Sequence, residues 1–335
     1  MGTPPRSTPS RADLAHSIRH APVTTNPFPP PGAAVPPPPA VDCSFDTASS
    51  RLKHRAIPAR PVTEPALRRL FGWETWLVLG LFPLPATLAA LAALASHIAS
   101  GFAAPDGLLI PNEPALTAAF NMALFASGLS AAAMVLYLVV RSGEGITAIG
   151  LGGHRLRLDL ALVMPVWLLA QVIPQSVGAS VVRSLSLPTF HVSSFGTPDY
   201  FVVALVGAFV AGVLEEIVVL GYLVRRLEQR GWSVQWIVIV AVAVRVSYHL
   251  YYGPGVIPIV LWATASVLLY LRIRRLLPFI ICHVVWDVRV GIADHSVSAS
   301  FAFGALFFVA SLVAWFKWRK WHPGAYPLPV PSLGS

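Results

Sequence analysis

FVVALVGAFVAGVLEEIVVLGYLVRR, residues 201–226, decides how the chain is read. The stretch is apolar for longer than the roughly 20 residues a helix needs to cross the hydrocarbon of a bilayer. Glu215 and Glu216 nevertheless stand side by side within it. A charged carboxylate at bilayer depth costs roughly 2.5–3.5 kcal/mol on insertion scales, so such groups face a bundle interior or a wet cavity and mark function. Later apolar stretches bring His249, His283 and Asp287 to similar surroundings. Five ionisable groups on three segments point to one shared site.

Composition agrees with a membrane reading. The 335 residues are 55% hydrophobic and only 12% charged, with a mean hydropathy of +0.66, far more apolar than a soluble domain. The net charge of +9 does not imply nucleic acid. The Lys and Arg residues form short clusters between apolar stretches, where they orient membrane segments. Cys43 and Cys282 lie in unlike contexts, one near the N-terminus and one in an apolar helix, so neither a disulfide framework nor a Cys-based zinc site is expected.

Residues 1–65 hold nearly half of the 31 prolines and no sustained apolar stretch. They are expected to form a disordered, Pro-rich cytoplasmic tail, because proline removes backbone donors and the polar remainder buries too little surface. No charged segment followed by an apolar core opens the chain, so no cleavable signal peptide is expected. Residues 66–320 form the multi-pass membrane domain and residues 321–335 a short cytoplasmic tail. Apolar windows fall near 76–98, 115–140, 159–182, 201–223, 235–252, 256–271, 277–293 and 299–316. The fold class is therefore an all-α, polytopic helix bundle with about eight transmembrane helices.

Basic residues alternate across these windows. Arg68 and Arg69 precede the first, Arg141, Arg155 and Arg157 follow the second, and Arg225, Arg226 and Arg230 follow the fourth. Arg272, Arg274 and Arg275 follow the sixth, and Lys317, Arg319 and Lys320 the eighth. The intervening loops carry only Arg183. Short cytoplasmic loops are enriched in such residues, so both termini are expected in the cytoplasm of a cell-membrane protein. Trp73, Trp76, Trp232, Trp315 and Trp318 then fall where interfacial anchors belong.

A spacing of four residues returns to nearly the same helix face. His283 and Asp287 in HVVWD therefore point one way, as do Arg245 and His249 in RVSYH. Glu215 and Glu216 are about a hundred degrees apart, so only one is expected to face a given target squarely. Two histidines and several carboxylates in a partly dry cavity can polarise water, accept its proton and hold an oxyanion, which suits amide hydrolysis. Other uses of the same groups remain open. They fit a proton relay in a carrier, although no repeat between the halves is visible. Glu215 and Glu216 could also simply neutralise Arg225 or Arg226. No G-x-S-x-G sequence supports a serine nucleophile.

The pattern resembles the CAAX prenyl protease and bacteriocin-processing (CPBP, or Abi) intramembrane proteases, in particular the type II CAAX prenyl endopeptidases. Their motifs are E-E-x-x-x-R, F-x-x-x-H and H-x-x-x-N or H-x-x-x-D on successive membrane helices. The counterparts here are EEIVVLGYL from Glu215, RVSYHLYYGPG from Arg245 and HVVWD from His283. Looser similarity runs from residue 146, giving a core of about 146–293. The resemblance implies that Glu215 is the general base, that His249 helps hold the water, that His283 and Asp287 stabilise the oxyanion, and that Glu216 supports them. The substrate it implies is a membrane-associated peptide or protein, with or without a lipid group, beside membrane lipid itself.

Two positions depart from the pattern. The motif arginine is Leu220, and the motif phenylalanine is Arg245. One reading is relocation, in which Arg245 becomes the countercharge for Glu216 or Glu215. The other is a catalytically inactive interaction or immunity protein of the same fold. No cofactor is expected. The chain lacks H-E-x-x-H, and zinc is weighed only as a mixed site of His249, His283, Asp287 and a glutamate. Measured along straight helices, Glu215 lies roughly 14 Å, His283 roughly 10 Å and His249 roughly 21 Å from the cytoplasmic ends. A site opening toward the cytoplasm is expected.

The alternating basic loops predict that single cysteines introduced at Asp106 and Pro188 react with a membrane-impermeant reagent in intact cells. Labelling at Arg155 instead of Asp106 would overturn that orientation.

Overall fold

Proline sets the first boundaries. Pro65 opens α1 (Pro65–Leu81), where its missing N–H is not needed. Pro83 denies the next helix a donor and disfavours helical backbone at Phe82, whose φ of −123° and ψ of −68° break the chain into α2 (Pro83–Ala99). The pair is bent by 40°. The expected window 76–98 is therefore two helices meeting at Phe82.

The computed structural model describes residues 59–99, 114–152, 156–187 and 201–321. The rest of the Pro-rich segment, and the positions Asp106, Arg155 and Pro188, lie outside these residues. Among the described residues the regular structure is entirely helical. After α2 come α3 (Pro114–Arg141) and α4 (Leu156–Ser184), the latter with a π-helical stretch at Trp167–Val172. The fifth helix, α5, runs through Phe201–Glu215, a π-helical Glu216–Leu223 and Val224–Gln229. Then follow α6 (Val234–Ser247), α7 (Val256–Ile273), α8 (Leu277–His295) and α9 (Val297–Trp321).

Five segments are long and apolar enough to cross a membrane, or six if the bent pair counts as one span. Two of the eight expected windows differ for physical reasons. At 14 residues α6 reaches only about 21 Å, and α8 carries the polar residues His283, Asp287 and Arg289. The chain is a multi-pass helical membrane bundle.

The basic helix ends gather on one side and are tied there by ion pairs. Arg226, fully buried, lies 3.4 Å from both Glu74 on α1 and Glu144 just after α3. Arg141 also pairs with Glu74, and Arg225 Nη2 lies 2.7 Å from Glu144. Glu228 near the end of α5 accepts two bonds from Arg274, at 2.5 and 2.9 Å. Arg275 forms a buried pair with Asp159 on α4. Val62 N–H donates to the carbonyl of Gln229 at 2.8 Å, which brings the start of α1 to the end of α5. This layer answers one alternative: Arg225 and Arg226 are neutralised by Glu144 and Glu74, not by Glu215 or Glu216.

Above the layer, Val218, Val219, Leu220 and Val224 of α5 are fully buried against neighbouring helices. Gly212 sets the contact that matters for the site. A Cβ there would meet Val284 Cγ2 at 2.6 Å and Val284 N at 2.8 Å. The backbones of α5 and α8 therefore meet one turn before Glu215 and one residue after His283.

Candidate active site

Glu215 is the last residue of α-helical geometry in α5, and Glu216 opens the π-helical turn. Such wide turns often occur at functional sites. The turn departs from the 3.6-residue period that sets the two carboxylates a hundred degrees apart. Both reach one histidine. His283 donates from Nδ1 to Glu216 Oε1 at 2.8 Å, while its Nε2 lies 4.0 Å from Glu215 Oε2 and 3.5 Å from Asp287 Oδ2.

Arg245, the last basic residue of α6, is fully buried with Nη2 3.0 Å from Glu216 Oε1. The contact is an ion pair rather than an aligned hydrogen bond, since Nη2 has no hydrogen-bond partner of good geometry. Of the two glutamates it is Glu216 that the arginine meets. Its guanidinium also lies over the Trp262 ring of α7, 4.5 Å from the centroid. Cation–π attraction of this kind is strongest where water is excluded.

The α-helical part of α6 stops at Ser247, earlier than the expected end near residue 252. Tyr248 and His249 lie in the turn that follows, before a 3-10 stretch at Leu250–Gly255. Gly253 adopts φ 55° and ψ −131°, a conformation that glycine reaches without penalty. His249 folds back and donates from Nδ1 to the carbonyl of Arg245 at 2.8 Å. Its ring lies 6.3 Å from that of Trp262, whose other neighbour is His283 at 4.9 Å. After the early helix end and this fold-back, both histidine rings neighbour Trp262, despite their unequal depths on straight helices.

Tyr248 and Trp262 escaped the sequence reading. Tyr248 donates its hydroxyl to Glu215 Oε2 at 2.9 Å and is buried. Its ring packs on Phe82 at the α1–α2 break, 5.5 Å between centroids. Ser247 and Thr87 share a hydrogen bond of 2.7 Å, which ties α2 to the end of α6. Tyr248 stands next to a motif histidine, which is the one sequence signal that could have drawn attention to it. Trp262 has no such signal.

Five residues singled out by sequence thus converge with Arg245 from three segments: α5, α6 with the turn that follows it, and α8. Glu215, Glu216, Arg245 and His283 are buried, and His249 is partly buried. Side-chain exposure rises from 2% at Glu216 through 4% at His283 and 9% at Glu215 to 30% at Asp287. The cluster is thus most exposed at Asp287. The mixed zinc site is not assembled: among the described residues no three His, Cys, Asp or Glu side chains gather to hold a metal. Arg245 places a positive charge against Glu216, which disfavours a cation at that carboxylate.

If Arg245 neutralises Glu216, Arg245→Phe strands a buried charge and should lower stability by about 3–5 kcal/mol. Adding Leu220→Arg to Arg245→Phe should recover part of that loss in thermal unfolding. Independent, additive effects of the two changes would contradict the exchange.

No curated protein matches the chain. No solved structure matches it either. Residues 197–289 match the family model described as type II CAAX prenyl endopeptidase Rce1-like. The match begins later than the looser similarity drawn from residue 146 and contains all three motifs. Over that stretch, within a helical membrane bundle, the chain is similar to the Rce1-like type II CAAX prenyl endopeptidases.

Proposed function

We propose that the protein is an intramembrane endopeptidase that hydrolyses a peptide bond with water activated by Glu215. The observation that carries the reading is the unlike setting of two adjacent carboxylates. Glu216 is held by Arg245 and His283. Among the described residues no arginine lies within ion-pair distance of Glu215, which is held by the neutral hydroxyl of Tyr248. A base must be positioned without being held by a fixed positive charge, and of the two glutamates Glu215, 4.0 Å from His283 Nε2 and hydrogen-bonded by Tyr248, fits that better than Glu216.

Its carboxylate takes a proton from water as the water oxygen attacks the peptide carbonyl. With Nδ1 of His249 committed to the Arg245 carbonyl, Nε2 is left as an acceptor for that water. Nε2 of His283 is the donor for the developing oxyanion, and Asp287, 3.5 Å away, supports its protonated form. Glu215 then passes its proton to the leaving nitrogen as the C–N bond breaks, giving an acid and an amine. Glu216, Arg245 and Tyr248 position the groups that react.

The substrate in this reading is a membrane-associated or leader-bearing peptide or protein, with or without a lipid group. The protein acts in the cell membrane with both termini cytoplasmic and has no nucleic-acid partner. The inactive alternative drew on Leu220 and Arg245, and the 3.0 Å contact of Arg245 with Glu216 argues for compensation instead.

Purified protein in liposomes should cleave membrane-proximal peptides from a broad library. Glu215→Gln and His249→Ala should lose turnover by at least about a hundredfold, the scale of general-base catalysis, with the bundle intact. Tyr248→Phe should reduce turnover more modestly, and a chelator should leave the rate unchanged. Full activity in Glu215→Gln would refute the mechanism, and no cleavage by the wild type would favour the inactive alternative.

A further inference from the structure

A second charged feature lies outside the site. A cavity of about 450 Å³ opens at the start of α1, lined by Arg68, Arg69, Gly72, Trp73, Trp76 and, from beyond the end of α5, Arg230. Arg68 donates from Nη2 to the carbonyl of Arg230 at 3.2 Å, which joins the two walls. The Arg230 guanidinium lies over Gly72, where a Cβ would sit 3.7 Å from Nη1. Three guanidinium groups therefore share one cavity with no carboxylate among its lining residues.

Two of the nearby acids are committed elsewhere, and a third, Glu64, stands exposed one turn before Arg68. Glu74 faces Arg141 and Arg226, and Glu228 faces Arg274. Like charges held together without a counterion repel, so the cavity selects an anion. Planar guanidinium forks match phosphate oxygens in pairs.

The remaining walls say which phosphate. Trp73 is 75% and Trp76 69% exposed, and Leu77, one turn after Trp73, is 50% exposed. Exposed tryptophans beside basic residues mark the headgroup level of a bilayer. Leu77 continues the apolar side of the helix away from the arginines, where an acyl chain would run. The cavity also stands on the side where the other basic helix ends gather, and basic pockets on the cytoplasmic side of bundles bind anionic headgroups.

We propose that this cavity binds the phosphate headgroup of an anionic phospholipid. Lipid retention by native mass spectrometry tests it, using full-length protein with phosphatidylglycerol against phosphatidylcholine. The wild type should retain phosphatidylglycerol preferentially. Arg68→Gln, Arg69→Gln and Arg230→Gln combined should weaken that retention, on the order of fivefold for each arginine removed. Replacing Lys317, Arg319 and Lys320 by Gln removes equal charge elsewhere and should leave it intact. If the triple variant does not purify, the exposed Arg69→Gln alone should still show a loss. Equal retention of the two lipids, or an equal loss in the Lys317 set, would overturn the proposal. So would inorganic phosphate in phosphatidylcholine that raises the unfolding temperature as much as phosphatidylglycerol does, since the ligand would then be a soluble anion.

Discussion

A carboxylate, a guanidinium and an imidazole meet at Glu216, and the surrounding bundle depends on that contact. Glu216 and Arg245 are both almost wholly buried, so either alone would leave an uncompensated charge in an apolar interior. Breaking such a pair is far more damaging than never having built it. The pair fixes α6 against α5, and His283, bonded to the same carboxylate oxygen, fixes α8. Trp262 extends the arrangement to α7 by covering the Arg245 guanidinium and meeting the edge of the His283 ring.

The rest of the fold makes this meeting possible. Gly212 admits the backbone of α8 beside α5. The break at Phe82 turns α2 toward the end of α6, where Phe82 and Thr87 hold Tyr248 and Ser247. At the basic end, Arg226, Arg274 and Arg275 bind acids from other helices, so the helix ends are fixed in register with one another. Glu215 and Glu216 thereby acquire different roles although they are neighbours in sequence. In the proposed mechanism one is consumed by structure, and the other is left for chemistry.

Much of this was legible in the sequence because it follows from local rules. Apolar length gave the helices, and acids and histidines out of place in apolar runs gave Glu215, Glu216, His249, His283 and Asp287. The exchange of Leu220 and Arg245 against the family pattern pointed to a buried pair before any distance was known. What was hidden depends on contacts between distant residues. Periodicity cannot announce a π-helical turn at Glu216, and nothing local marks Glu74, Glu144, Asp159 or Glu228 as partners of particular arginines. Trp262 looked like any other apolar helix residue. The window to residue 252 stops just before Gly253, Pro254 and Gly255, the nearest local helix breakers, whereas the helix ends at Ser247.

The division of labour between the two glutamates is tested most directly by thermal unfolding of Glu215→Gln and Glu216→Gln in the same detergent. Glu216→Gln leaves Arg245 buried without its counterion and should unfold at a clearly lower temperature than the wild type. Glu215→Gln keeps an acceptor for the Tyr248 hydroxyl and should unfold close to the wild type. Equal losses in the two variants, or a larger loss in Glu215→Gln, would contradict the assignment of Glu216 to structure and Glu215 to chemistry.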